Sequence, residues 1–125
     1  MELGFHQPGC RPCKRGVGLQ KMKNLNLPDR PILLDGGMGR ELRSRGVNIL
    51  TAIWSANGLI KAPDTVRQIH QDYISAGADI ITTNTYGIVR SSLAKEGLED
   101  RFEELNVVAC NLAGQARQKS EASIL

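Results

Sequence analysis

The sequence predicts an α/β domain built on parallel strands, and three observations carry that expectation. Short apolar runs recur at 31–35, 79–83 and 122–125. The stretches between them return apolar residues at helical spacing. Glycine and proline punctuate each change from one pattern to the other. The resulting order is β-α-α-β-α-α-β, and strands that alternate with helical segments pair in parallel through right-handed crossovers.

Residues 1–30 show no sustained period and read as a flexible leader, which leaves 31–125 as the domain. Pro31-Ile32-Leu33-Leu34-Asp35, stopped by Gly36-Gly37, has the form of a strand buried on both faces. Residues 38–45 form a short polar helix closed by Gly46, and Trp54 to Lys61 add a helical turn or two, interrupted at Asn57-Gly58. Pro63 suits the first position of a helix, and Asp64 complements its positive end. Val66, Ile69, His70, Tyr73 and Ile74 then follow on one stripe, and Gly77 ends the element. Asp79 to Thr83 is rich in β-branched residues and reads as the second strand. A helix near 88–95 ends at Gly97. A longer one from about 99 to 119 carries Phe102, Leu105, Val108, Ala109, Leu112 and Ala116 on its stripe. The run from Ala122 to Leu125 begins a third strand.

The chain has 125 residues, 41% hydrophobic, 23% charged and only 4% aromatic. No run approaches the ~18 apolar residues of a transmembrane helix, and the N-terminus lacks the apolar core of a secretory signal. A cytoplasmic protein without a membrane partner is expected. The formal charge of +3 is local: Arg11, Lys14, Arg15, Lys21 and Lys23 face only Glu2 within residues 1–23, and the remainder is close to neutral. No basic face with groove-reading side chains stands out, so no nucleic-acid partner is expected. Cys10, Cys13 and Cys110 are an odd number, which fits a reducing compartment better than a disulfide framework.

In parallel α/β folds ligand chemistry collects at the carboxyl ends of the strands, and two loops occupy that position. In Asp35-Gly36-Gly37-Met38-Gly39 the carboxylate can accept from an ammonium group. The glycines let backbone N–H groups approach a carboxylate or phosphate, with the start of helix 38–45 adding its positive end. Two readings stand for this loop: an amino-acid site, or a tight turn in which Asp35 caps the helix. A dinucleotide fingerprint fits poorly, because GGxG is not GxGxxG and the next strand starts far beyond the roughly 20 residues that motif needs. The second loop, Thr82-Thr83-Asn84-Thr85-Tyr86, gathers three hydroxyls, an amide and a phenol. Taken alone, strand propensity and an Asx turn at Asn84 account for it.

Other candidates carry less. Cys10 and Cys13 have CxxC spacing near His6, but a structural zinc site needs four ligands and the other half is missing. His70 on its apolar stripe reads as a hydrogen-bonded core or boundary histidine. Cys110 reads as helix packing. Glu96, Glu99, Asp100, Glu103 and Glu104 read as a solvated helix start. Trp54, the single tryptophan, either anchors a loop or packs in the core.

Taken together, ILLDGGMGREL (32–42), IWSANGLIKAPDTVRQIHQDYISAGADIITTNTY (53–86) and LEDRFEELN (98–106) resemble the homocysteine S-methyltransferase family. DGGMG followed by AGADIITTNTY is far more specific than either piece alone. Arg40 departs from the pattern, where the family commonly has Thr, and its position past the loop glycines affects the helix start more than the pocket. The resemblance implies a (β/α)8 TIM barrel, of which this chain supplies an N-terminal part: two βα units and the start of strand 3. It implies methyl transfer to the homocysteine thiol to form methionine, from a donor the sequence leaves open. The family's zinc deprotonates the thiol, which free in water has a pKa near ~8.5.

Carried onto this chain, Asp35 receives the homocysteine ammonium and Gly36 and Gly37 approach its carboxylate, while Thr83, Asn84 and Tyr86 line the pocket. The family's zinc-binding cysteines follow late strands that have no counterpart here, and Cys10 and Cys13 precede the first strand. No metal ligand, no catalytic residue and no bound zinc are therefore expected of this chain, and it is expected to be inactive alone. Two alternatives stay open: a non-catalytic interaction or regulatory piece that pairs its open strand edges, and another barrel enzyme using the GGxG loop for phosphate.

Overall fold

The computed structural model describes residues 29–118 and 122–124. The leader up to residue 28, with His6, Cys10 and Cys13, lies outside the described residues, as do 119–121 and Leu125. The helices come in the expected order. They are α1 (Met38–Ser44), a 3-10 turn (Trp54–Ala56) running into α2 (Asn57–Lys61), α3 (Pro63–Ser75), α4 (Arg90–Lys95), and a second 3-10 turn (Glu99–Arg101) leading into α5 (Phe102–Arg117). Pro63 opens α3 with Asp64 in its first turn. The change from the 3-10 turn to α2 falls at Asn57, and Asn57 and Gly58 lie buried in the first turn of α2. There a Cβ on Gly58 would press into Leu42 of α1 at 2.8 Å.

Three helices stop by one device. Gly46, Gly77 and Gly97 have φ of +78°, +103° and +66°, conformations that cost glycine little. Each is followed by an N–H reaching back to the helix's last turn: Val47 to the Leu42 carbonyl, Ala78 to Tyr73, and Leu98 to Leu93, at 2.9, 3.0 and 2.9 Å. Those bonds satisfy carbonyls that a helix end leaves without partners.

The strands are shorter than the apolar runs. β1 is Ile80–Ile81 and β2 is Ser123–Ile124, paired in parallel with Ile80 opposite Ser123 and Ile81 opposite Ile124. The segment expected as the first strand joins them through one parallel bridge, Leu34 to Ile80. Its backbone is nonetheless tied in: Asp35 N–H donates to the Ile80 carbonyl at 2.9 Å, and Ile80 N–H to Leu33 at 3.2 Å. Among the described residues the segment has a neighbour on one side alone, so it makes half the ladder bonds of a central strand and its regular stretch shrinks to the bridge.

The core lies between the helices and one side of this ribbon. Leu42, Ile53, Leu59, Val66, Ile69, Leu93 and Leu105 are buried together, and α3 packs on α5 and on β1. On α5 the expected stripe is buried at Leu105, Ala109, Leu112 and Ala116. Cys110 is a correction, for its residue is exposed. It follows Ala109 by one position, and one residue turns a helix by about 100°, enough to leave the stripe. His70 is fully buried, but among the described residues it lacks the hydrogen bonds expected of it. No described helix is long and apolar enough to cross a membrane.

Candidate functional site

Parallel pairing brings the carboxyl end of the first segment beside that of β1, so the two candidate loops emerge together. Asp35 does not cap α1. The N-cap is Gly37, without a side-chain bond. The Asp35 carboxylate instead accepts from the backbone N–H of Thr82 at 2.8 Å through one oxygen, and from the Thr82 hydroxyl at 2.9 Å through the other. A carboxylate offers about four acceptor positions, so two fixed donors orient it while leaving capacity for a cationic ligand. Asp35 is half-buried, accessible yet held.

The glycines beside it differ in their reasons. A Cβ on Gly36 would lie 2.6 Å from the Tyr73 hydroxyl, so the ring of α3 packs directly against this turn. Burial, with the charges of Glu41 and Asp35 adding to it, pushes the Tyr73 phenol above its ordinary range, so it stays protonated there. Gly37 is free of such crowding, and its carbonyl accepts from Arg40 and Glu41 at the start of α1. No hydrogen bond among the described residues uses the N–H of Gly36 or Gly37. Arg40 lies in the first turn of α1, exposed and beyond the glycines.

In the second loop Thr83 and Thr85 pair their hydroxyls at 3.1 Å, and the Thr85 N–H closes a tight turn on the Thr83 carbonyl. Asn84 is buried, and its amide donates to the Ser55 carbonyl at 2.8 Å. That bond ties the loop to the first 3-10 turn. Gly87 adds a second tie, because its backbone sits against the Ile53 carbonyl so closely that a Cβ would overlap the oxygen. Tyr86 is exposed, with its ring centroid 6.2 Å from that of Trp54 in a tilted pair.

Trp54 is the one non-glycine residue with positive φ among those described, at +49°. It is exposed, so of the two readings of the sequence it takes the loop position and not the core. A hollow of about 570 Å³ on one side of it is lined by Ile49, Leu50, Thr51, Ala52 and Glu96. Another of about 310 Å³ reaches Tyr86, Gly87, Val89 and Ser92. Neither is lined by Asp35. Glu96 belongs to this wall as more than a solvated charge, accepting the Ala52 N–H at 2.6 Å.

The structure thus brings Asp35, Gly36 and Gly37 beside the start of the second loop, and places Tyr86 with Trp54. Sequence reasoning places Thr82 in the second loop without a role, whereas its hydroxyl and N–H fix Asp35. Its signal was its place directly after the buried run of the second strand. Tyr73 was assigned only to the apolar stripe, and its contact with Gly36 has no local signature.

A family model described as Homocysteine S-methyltransferase matches residues 32–125. The homocysteine S-methyltransferase of Escherichia coli (strain K12) is 36% identical over 88 residues, covering 70% of this chain and 28% of that protein. Homocysteine S-methyltransferase 4 of Zea mays is 37% identical over 87 residues, covering 69% and 25%. Among solved structures, the metallated form of the homocysteine methyltransferase MmuM from Escherichia coli superposes with a TM-score of 0.66 at 32% identity. That match covers 78% of this chain and 36% of the other. The chain therefore spans between a quarter and about a third of the length of these relatives. With three quarters of its residues inside the family match and Asp35-Gly36-Gly37 and Thr82 to Tyr86 within it, this chain belongs to the homocysteine S-methyltransferase family.

Proposed function

We propose that the chain forms the first two βα units and the start of the third strand of a TIM barrel, and carries part of a homocysteine pocket. The observation that supports this reading is the Asp35 carboxylate, held by two donors of Thr82 at the carboxyl end of paired parallel segments. In this reading Asp35 receives the ammonium group of homocysteine through its remaining acceptor positions. The N–H groups of Gly36 and Gly37 serve the ligand carboxylate, where the absence of side chains allows close approach. Thr83 and Tyr86 line the wall, and Asn84 holds that wall in place through Ser55. A cytoplasmic location belongs to the same reading. These groups bind and orient the methyl acceptor, which in the whole protein is methylated on sulfur.

The zinc that the family implies supplies thiol deprotonation when bound. The described residues do not fit it. No group of three or more His, Cys, Asp or Glu residues among them could hold a metal ion, and Cys110 is exposed on α5. In this reading methyl transfer belongs to the whole protein, and this chain alone is expected to bind the acceptor in part without turnover.

Calorimetry on the purified 125-residue chain tests this assignment. Homocysteine is expected to bind, and Asp35→Ala to weaken it by ~10- to 100-fold, the effect of losing a hydrogen bond to a charged group. Binding of a phosphorylated sugar in place of homocysteine contradicts the reading. Sustained homocysteine methylation by the chain alone contradicts its expected inactivity.

A further inference from the structure

His70 is fully buried on α3, yet neither ring nitrogen has a hydrogen-bond partner among the described residues. A neutral imidazole carries one donor and one acceptor, and buried polar groups are as a rule paired. Its position on the helix supplies a context. Tyr73 follows three residues later and shares its face, and Tyr73 packs against Gly36. Through Tyr73, that face of α3 therefore reaches Gly36, the residue after Asp35.

Asp35 is the charge that acts on the ring. Among the described residues the other elements packed on α3 bring no titratable group into the core. The residues buried by α1, α2 and α5 are apolar apart from the amide of Asn57, and β1 adds Ile80 and Ile81. Arg45 pairs with Glu41 and Asp72 at the surface, and Asp79 is taken by Arg30 before β1 begins.

We propose that His70 is a positioning residue for Asp35: the neutral ring leaves the carboxylate's charge to a ligand ammonium, and a protonated ring takes it away. The proposal rests on the reading that Asp35 receives an ammonium group. Burial holds the imidazole below its ordinary value against the opposing pull of Asp35, so the ring is neutral at neutral pH. On acidification it gains a proton from solvent and becomes a buried cation beside the carboxylate. An incoming ammonium then meets a like charge. By reciprocity, a bound ammonium makes the ring harder to protonate.

The test is an NMR pH titration of the ring nitrogens in the ¹⁵N-labelled full chain, for the natural sequence and for Asp35→Asn. A midpoint below the ordinary imidazole range is expected, falling by a further ~0.5 pH unit or more once the carboxylate charge is removed. Equal midpoints in the two proteins overturn the coupling. So does a midpoint that coincides with loss of helix by circular dichroism. In a second arm, homocysteine affinity measured on either side of the midpoint is expected to fall on acidification in the natural sequence, and much less in His70→Gln. Parallel loss in both overturns the proposal. If His70→Gln does not fold, the Asp35→Asn titration decides. Failure of homocysteine to bind at any pH sinks the substrate reading instead, while the ring titration of the free chain still judges the coupling.

Discussion

The carboxylate of Asp79 ties together segments far apart in sequence. It takes both terminal nitrogens of Arg30, at 2.8 and 2.6 Å, and the backbone N–H of Leu33 at 3.0 Å. The Arg30 hydrogen bonds, followed by that from Leu33, lower its pKa to about 2 from an ordinary 3.8. A carboxylate depressed in the fold contributes stability that is complete above its unfolded value and is lost as pH falls through the folded one. Asp79→Asn is therefore expected to lower the thermal midpoint at neutral pH, with the gap to the natural sequence closing between about pH 3.8 and 2. Both partners reach solvent, so the effect is modest and shrinks with added salt. Thermal unfolding across that pH range measures it. A gap independent of pH would assign the effect to packing rather than charge.

At the scale of elements, the helices were legible because each signal is local. Pro63 starts α3, three glycines at positive φ end α1, α3 and α4, and the stripes on α3 and α5 repeat within a few residues. The strands were legible as apolar runs but not in extent, since ladder length depends on neighbours that no local pattern reveals. The site divided the same way. Asp35 and its glycines were marked by their position after an apolar run, but the donors that orient the carboxylate come from 47 residues away. Nothing near Asp35 distinguishes a helix cap from a carboxylate held by Thr82. The α3–α5 contact is the largest helix pairing, with Leu105 almost wholly buried in the core they share. Leu105→Ala removes most of a buried side chain where collapse is limited, and is expected to cost ~2–5 kcal/mol. Urea unfolding reads this as a lower midpoint with an unchanged slope. A cost below ~1 kcal/mol would mean that α5 is loosely seated.

At the scale of the whole molecule, the ribbon is covered unequally. Residues paired across parallel strands point to the same side, so Leu34 shares a face with Ile80, and Ile81 looks the opposite way. Ile81 is fully buried, whereas Leu34 is 61% exposed. Parallel sheets occur almost only with both faces covered, and in a TIM barrel the inner face is filled by side chains from the other strands. Among the described residues no layer fills that role, and the segment at Leu34 pairs on one side alone. An apolar face next to an open edge is a template for association. The 125-residue chain is accordingly expected to self-associate as its concentration rises, with sedimentation velocity showing growth beyond the monomer. Leu34→Lys places a charge on that edge without emptying the helical core, because Leu34 is not among its members. The variant is expected to keep its far-ultraviolet dichroism and to shift toward monomer, more strongly at low salt, where repulsion between the new ammonium groups is least screened. Association that survives the substitution unchanged would move the adhesive surface elsewhere, to the exposed Leu50, Trp54 and Tyr86. Loss of helix on substitution would instead show that the covered side of the ribbon depends on the face that is open.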